Sequence, residues 1–253
     1  MPTVRRAPAR RRVAFVLLAS VLALAGCDDD VIVPYREEPM LFLILHPQWA
    51  AYQPDVLEEY ALFAETGSPT ESRFISAEQF VMTAVADGVA FDWRQCSSGD
   101  APVTPEGIDM RTANYCLAET GRDDLGGASG LTPGETYELR ITAPSGVVRG
   151  EVIVPAAFAV TIVDGAGGTV AVWPDVAGAA SYQVHVASGN TFLDEATQDT
   201  TFVIPAALSS GTVSVYALDE NLTAYLRDVR LTSSGIVGAN GVFGAVGRAE
   251  AAF

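Results

Sequence analysis

The chain has 253 residues and a formal net charge of −16 at pH 7, from 31 Asp plus Glu against 15 basic residues, all of them arginine. So acidic a surface excludes nucleic-acid binding, which rests on cationic contacts to phosphate, and disfavours adsorption to anionic lipid.

In chain order, the N-terminus comes first. Arg5, Arg6, Arg10, Arg11 and Arg12 precede an apolar run from Val13 to Ala25 that is broken only by Ser20. The run is shorter than the ~20 residues of a stable spanning helix and reads as the apolar part of a secretion signal. It ends in Leu24-Ala25-Gly26-Cys27, which resembles the lipobox of bacterial lipoproteins. That resemblance implies cleavage after residue 26 and a lipidated Cys27, with roughly 0.8 kcal/mol of membrane attachment per buried CH2. Removing residues 1–26 takes five arginines away, so ten basic residues then face 31 acids, a net charge of about −21.

Residues 27–39, beginning Cys-Asp-Asp-Asp, are acidic and proline-bearing and read as a tether between lipid and domain. The expected location is the bacterial cell envelope, lipid-anchored, at the outer membrane on its periplasmic or surface-exposed face. Acids directly after the cysteine resemble lipoprotein sorting signals, and by themselves they leave inner and outer membrane open.

The remaining chain is expected to be all-β, as two consecutive β-sandwich domains. The first, residues 40–155, is a series of short strand signals. Met40–Leu45 is a continuous apolar run, as in a strand buried on both faces. Glu58–Glu65 puts Ala61 and Phe63 on the face opposite Tyr60 and Leu62. Phe80–Val85 and Val89–Trp93 flank Ala86-Asp87-Gly88, a hairpin signal, and Trp93 alternates with Phe91 toward a core. Pro133-Gly134 makes a turn, after which Tyr137, Leu139 and Ile141 alternate inward. Pro144-Ser145-Gly146 turns the chain again, and Val147–Val154 returns. A sandwich of about seven strands accounts for this spacing.

The second domain, residues 156–253, continues in the same style. Thr169–Val186 contains a strand ending on Trp173, a turn from Pro174 to Gly178-Ala179 and a Tyr182-x-Val184-x-Val186 strand. It resembles the B and C strands of a fibronectin type III module, and the resemblance makes Trp173 a core residue. Thr200–Ile204 and Thr212–Ala217 fit the later E and F strands. Leu222–Leu231 reads as a helical turn, and the glycine-rich segment Gly235–Gly247 departs from a plain type III module.

Taken together, the lipobox, the Leu131–Pro155 pattern "L-x-P-G-x-x-Y-x-L-x-I … G-x-V-x-G-x-x-x-V-P", the type III-like half and the C-terminal "G-V-F-G" (Gly241–Gly244) resemble a family of bacterial envelope lipoproteins. Such proteins are often encoded near TonB-dependent receptors and carry an Ig-like domain followed by a type III-like one. A carboxypeptidase-regulatory-like fold is the alternative for the first half. The resemblance implies a non-catalytic binding or scaffolding accessory subunit, with an envelope protein as partner. A carbohydrate-binding accessory protein of a nutrient-uptake system, with a glycan as ligand, is the alternative.

Once Cys27 is acylated, Cys96 and Cys116 remain. In an oxidising compartment an even pair reads as a disulfide, here closing a loop of about 20 residues and contributing ~3 kcal/mol; a reactive thiol or metal pair is the alternative. No nucleophile elbow, zinc-binding helix motif, C-x-x-C or Walker loop occurs. His46 and His185 are read as surface or partly satisfied side chains. Acid pairs such as Asp123–Asp124, and Asp194, Glu195 and Asp199, lack calcium-loop spacing and read as solvated. No catalytic residue, metal or cofactor is assigned. The candidate contact surface is Trp49 with Tyr52, in the two-proline run His46–Pro54.

Overall fold

The computed structural model describes residues 39–46, 60–65, 73–95, 115–117, 130–165, 168–228 and 233–253, all within the unit spanning Arg36–Phe253. The expected signal and tether, before Pro39, lie outside the described residues. The architecture is all-β, with one short helix among the described residues.

Eight strands form the first half: β1 (Pro39–Leu45), β2 (Tyr60–Glu65), β3 (Arg73–Phe74), β4 (Gln79–Ala84), β5 (Ala90–Gln95), β6 (Tyr115–Leu117), β7 (Thr136–Ala143) and β8 (Gly146–Ile153). Their apolar alternation sets what is inside. Ala61, Phe63, Phe91, Trp93, Tyr137, Leu139 and Ile141 are all buried in one core. Trp93 stacks on Phe80 at 5.0 Å between ring centroids. The β4–β5 hairpin turns where expected, with Gly88 at φ +69° and Gly88 N–H donating to the Ala84 carbonyl at 2.9 Å. The Tyr137 hydroxyl accepts from Thr132 N–H at 2.7 Å, which ties the Pro133-Gly134 turn to the strand that follows it.

The second half holds β9 (Thr161–Gly165), β10 (Gly168–Val172), β11 (Ser181–Ser188), β12 (Thr191–Thr197), β13 (Thr201–Val203) and β14 (Thr212–Leu218). After them come helix α1 (Glu220–Arg227), β15 (Ser233–Ser234), β16 (Ile236–Val237) and β17 (Asn240–Ala252). The three-stranded sheet β13-β10-β9 shares a second core with β11 and β14, built on Trp173, Tyr182, Val184, Val186, Val213 and Val215. Trp173 meets Tyr182 edge-on at 5.6 Å.

The other sheet has 14 strands and crosses the whole described unit in the order β12-β11-β14-β17-β1-β2-β6-β5-β4-β7-β8-β16. It folds back on itself in the first half. β16 lies against β8 and β15 against β17, and Glu151 N–H donates to the Gly235 carbonyl at 3.2 Å.

β17 joins the halves. Its first six residues run parallel to β1, Asn240 opposite Met40 through Ala245 opposite Leu45. Val246–Ala252 then pair antiparallel with β14. Period-2 alternation does the rest. Phe243 and Ala245 lie in the first core, Gly247 faces Pro155 and Phe158, and Ala249 lies in the second core. The opposite face carries Val242 and Val246, which pack with Leu218 and Leu222 and with Phe42, Ile44 and Tyr225. β1 is therefore packed on both sides, with Leu41, Leu43 and Leu45 buried inside and Phe42 and Ile44 half-buried beneath the helix.

The glycines of Gly241-Val-Phe-Gly244 are demanded by close approach. Gly241 has φ +111°, and a Cβ there would collide with the Leu41 carbonyl oxygen. A Cβ on Gly244 would lie 2.9 Å from Leu222 Cβ and 3.2 Å from Asp219 Oδ1. We expect Gly241→Ala to cost about 3 kcal/mol, against about 1 kcal/mol for Gly189→Ala, whose φ is +56° with nothing within 4 Å of the added carbon. Urea denaturation of both variants checks this; equal losses would refute the packing argument.

Candidate functional site

Most side chains singled out in the sequence lie outside the described residues: Cys27, Trp49, Tyr52, Cys96, Asp123 and Asp124. Cys116 is on β6, where its backbone pairs with Tyr60 of β2 and Arg94 of β5; its side chain is outside the described set. His46 follows β1, with Nδ1 3.3 Å from the Ile44 carbonyl.

His185 has a more specific setting. Inward residues of β11 are Tyr182, Val184 and Val186, so Gln183, His185 and Ala187 point outward. The ladders then align one outward row across four strands: Asp194 on β12, His185 on β11, Ser214 on β14 and Glu250 on β17. The neighbouring row is Ala196, Gln183, Tyr216 and Arg248.

Within the first row, His185 Nδ1 and Asp194 Oδ1 are 2.7 Å apart, the ring N–H donating because an ionised carboxylate only accepts. Arg248 Nη2 donates to Glu250 Oε2 at 3.0 Å and to Ser214 Oγ at 3.4 Å. Ser214 Oγ in turn donates to Glu250 Oε2 at 3.4 Å. The Arg248 guanidinium lies 5.3 Å over the Tyr216 ring, a cation–π contact. The Phe192 ring sits 5.8 Å from that of His185 at 32° and is 62% exposed.

Asp194, His185 and Ser214 repeat the acid, base and hydroxyl order of a nucleophilic triad. The hydroxyl, however, is directed to Glu250 and only 4% of Ser214 is exposed, so the base is not placed on a nucleophile. Glu195 alternates with Asp194 and so faces the opposite side of β12, which separates two acids that the sequence sets side by side. Among the described residues, no three His, Cys, Asp or Glu side chains cluster as metal ligands. An open depression between the β4–β5 turn and the Thr132–Thr136 turn is lined by Val85, Asp87, Pro133 and Glu135. Beside it, burial raises the Tyr137 hydroxyl pKa to about 12, the Thr132 N–H opposing this and Glu135 adding to it.

The sequence reading missed Ser214, Arg248 and Glu250. Their signal was outward parity on their strands, which becomes a row only when the register is known.

A buried carboxylate lies on this same side of β17. Asp219 caps α1, accepting from Leu222 N–H and Asn221 N–H at 3.0 and 3.2 Å, and also from Ala245 N–H of β17 at 3.0 Å. Asn221 Nδ2 donates to the Glu151 carbonyl of β8 at 2.8 Å and the Phe243 carbonyl at 3.0 Å. Burial drives the Asp219 pKa from 3.8 up to about 6, the three N–H donors opposing it and Glu220 adding to it.

The folded state therefore holds a proton between about pH 4 and 6 that the unfolded chain has lost. That contribution to stability is complete below the unfolded pKa and disappears as pH rises through the folded one. Relative to Asp219→Asn, the native chain should gain about 2 kcal/mol on going from pH 7 to pH 4. Denaturant midpoints of the two chains across that range test this; parallel curves would contradict it. No family model matches the chain, and no curated protein matches it.

Proposed function

We propose that the chain is a lipid-anchored envelope lipoprotein that acts as a non-catalytic binding or scaffolding accessory subunit. Cys27 carries the lipid, the Asp28–Pro39 tether supplies reach, and the β body presents its surfaces to a membrane protein partner such as an outer-membrane receptor. The observation that carries this reading is the sharing of β17 by two cores. One continuous strand with both faces packed makes the halves a stiff presenting unit.

The strand order β12-β11-β14-β17 packed on β13-β10-β9 supports a type III-like second half, and the first half is read as Ig-like. A Cys96–Cys116 disulfide fits an oxidising location. The acidic body keeps away from anionic lipid surfaces, so attachment rests on the acyl chains.

The test is affinity purification of tagged, full-length protein from gently solubilised native membranes, beside Cys27→Ser. We expect a stoichiometric receptor or transporter with the native chain, and release of the variant from the membrane fraction. Recovery of the native chain alone would overturn the scaffold reading; a membrane-bound variant would overturn the anchor.

A further inference from the structure

The outward face of β12, β11, β14 and β17 has a chemistry that the scaffold role does not use. Two carboxylates on it are held in fixed positions, each through a single oxygen. Asp194 uses Oδ1 for His185, and Glu250 uses Oε2 for both Arg248 and Ser214. Asp194 Oδ2, Glu250 Oε1 and His185 Nε2 have no protein hydrogen-bond partner among the described residues. All three belong to side chains open to solvent: 43% of Asp194, 40% of Glu250 and 32% of His185 is exposed. At one end of the face stands the exposed Phe192 ring, braced by His185.

The register fixes the dimensions. Asp194 and Glu250 are three strand spacings apart, ~14 Å at the usual spacing, which is longer than one pyranose ring. Arg248 pairs with Glu250 and His185 donates to Asp194, while the carboxylates repel an anionic ligand. The face thus offers oriented acceptors beside an aromatic platform. A neutral ligand rich in hydroxyl donors and C–H faces complements it. Hydroxyls donate to carboxylate oxygens in charge-assisted bonds, and the apolar face of a sugar ring covers an aromatic ring.

Pairing of a foreign strand along the free edge of β12 fits less well. Glu195 on that edge strand, paired with Val184, is exposed, and a charge on an edge strand is a known guard against edge pairing.

We propose that this sheet face is a saccharide-binding platform for a neutral oligosaccharide of at least two sugar units. One pyranose lies on Phe192 beside Asp194, and the chain runs across β11 and β14 toward Glu250. The site goes beyond the scaffold reading and is assayed separately from it, so either can fail alone.

The test uses the full-length protein in detergent, titrated calorimetrically with cellohexaose, maltohexaose, xylohexaose and mannohexaose. We expect at least one of them to bind. Phe192→Ala should weaken that binding about tenfold, equivalent to about 1.4 kcal/mol. Asp194→Asn and Glu250→Gln should each weaken it by about three- to tenfold, with circular dichroism unchanged. Val85→Ala, on the far depression, serves as the control with native affinity. Absence of binding to all four at millimolar sugar would overturn the proposal, and so would binding that Phe192→Ala leaves intact.

Discussion

The structure depends on one strand that cannot be spared by either half. β17 contributes Phe243 and Ala245 to the first core and Ala249 to the second, while its reverse face lies under α1 through Val242 and Val246. A strand buried on both sides has no tolerance for a register slip, because moving by one residue exchanges its two faces. Everything that touches it inherits that precision. Asp219 reaches Ala245 N–H, Asn221 reaches the Phe243 carbonyl, and Gly241 and Gly244 admit the Leu41 backbone and Leu222 at distances no larger residue permits.

The same constraint shapes the open face. Arg248 and Glu250 hold their positions because the residues between and beyond them, Gly247, Ala249 and Ala251, face the second sandwich layer. The polar row is thus preorganised by the core behind it. Its fixed carboxylates owe their orientation to neighbours on adjacent strands, and a flexible loop would hold them far less firmly.

How far the sequence could be read depended on distance along the chain. Local alternation located β4, β5, β7 and β8, and the Trp173 to Val186 pattern placed the second core, because strand parity and turn chemistry act over a few residues. The helical turn expected at Leu222–Leu231 begins at Glu220 instead, since Asp219 caps it. An Asp ahead of Glu-Asn-Leu was the available sign. The glycine-rich Gly235–Gly247 reads locally as irregular because glycine is poor in strands, yet it includes the first half of the longest strand. What demands Gly241 is the Leu41 backbone two hundred positions away, and what demands Gly244 is Leu222 and Asp219 on another element; no local pattern carries either. The Asp194–Glu250 row was hidden for the same reason: its four members come from four strands and three separate ladders.

The parallel pairing of β1 and β17 has a mechanical consequence. β1 opens the first half, and β17 continues from its partnership with β1 into the second half. A pull applied between the N-terminal end of β1 and the C-terminal end of β17 runs along both strands in opposite directions. It loads the rungs from Met40–Asn240 to Leu45–Ala245 together, in shear, and does not open them one after another. Six rungs loaded at once resist such a pull better than the same rungs opened singly.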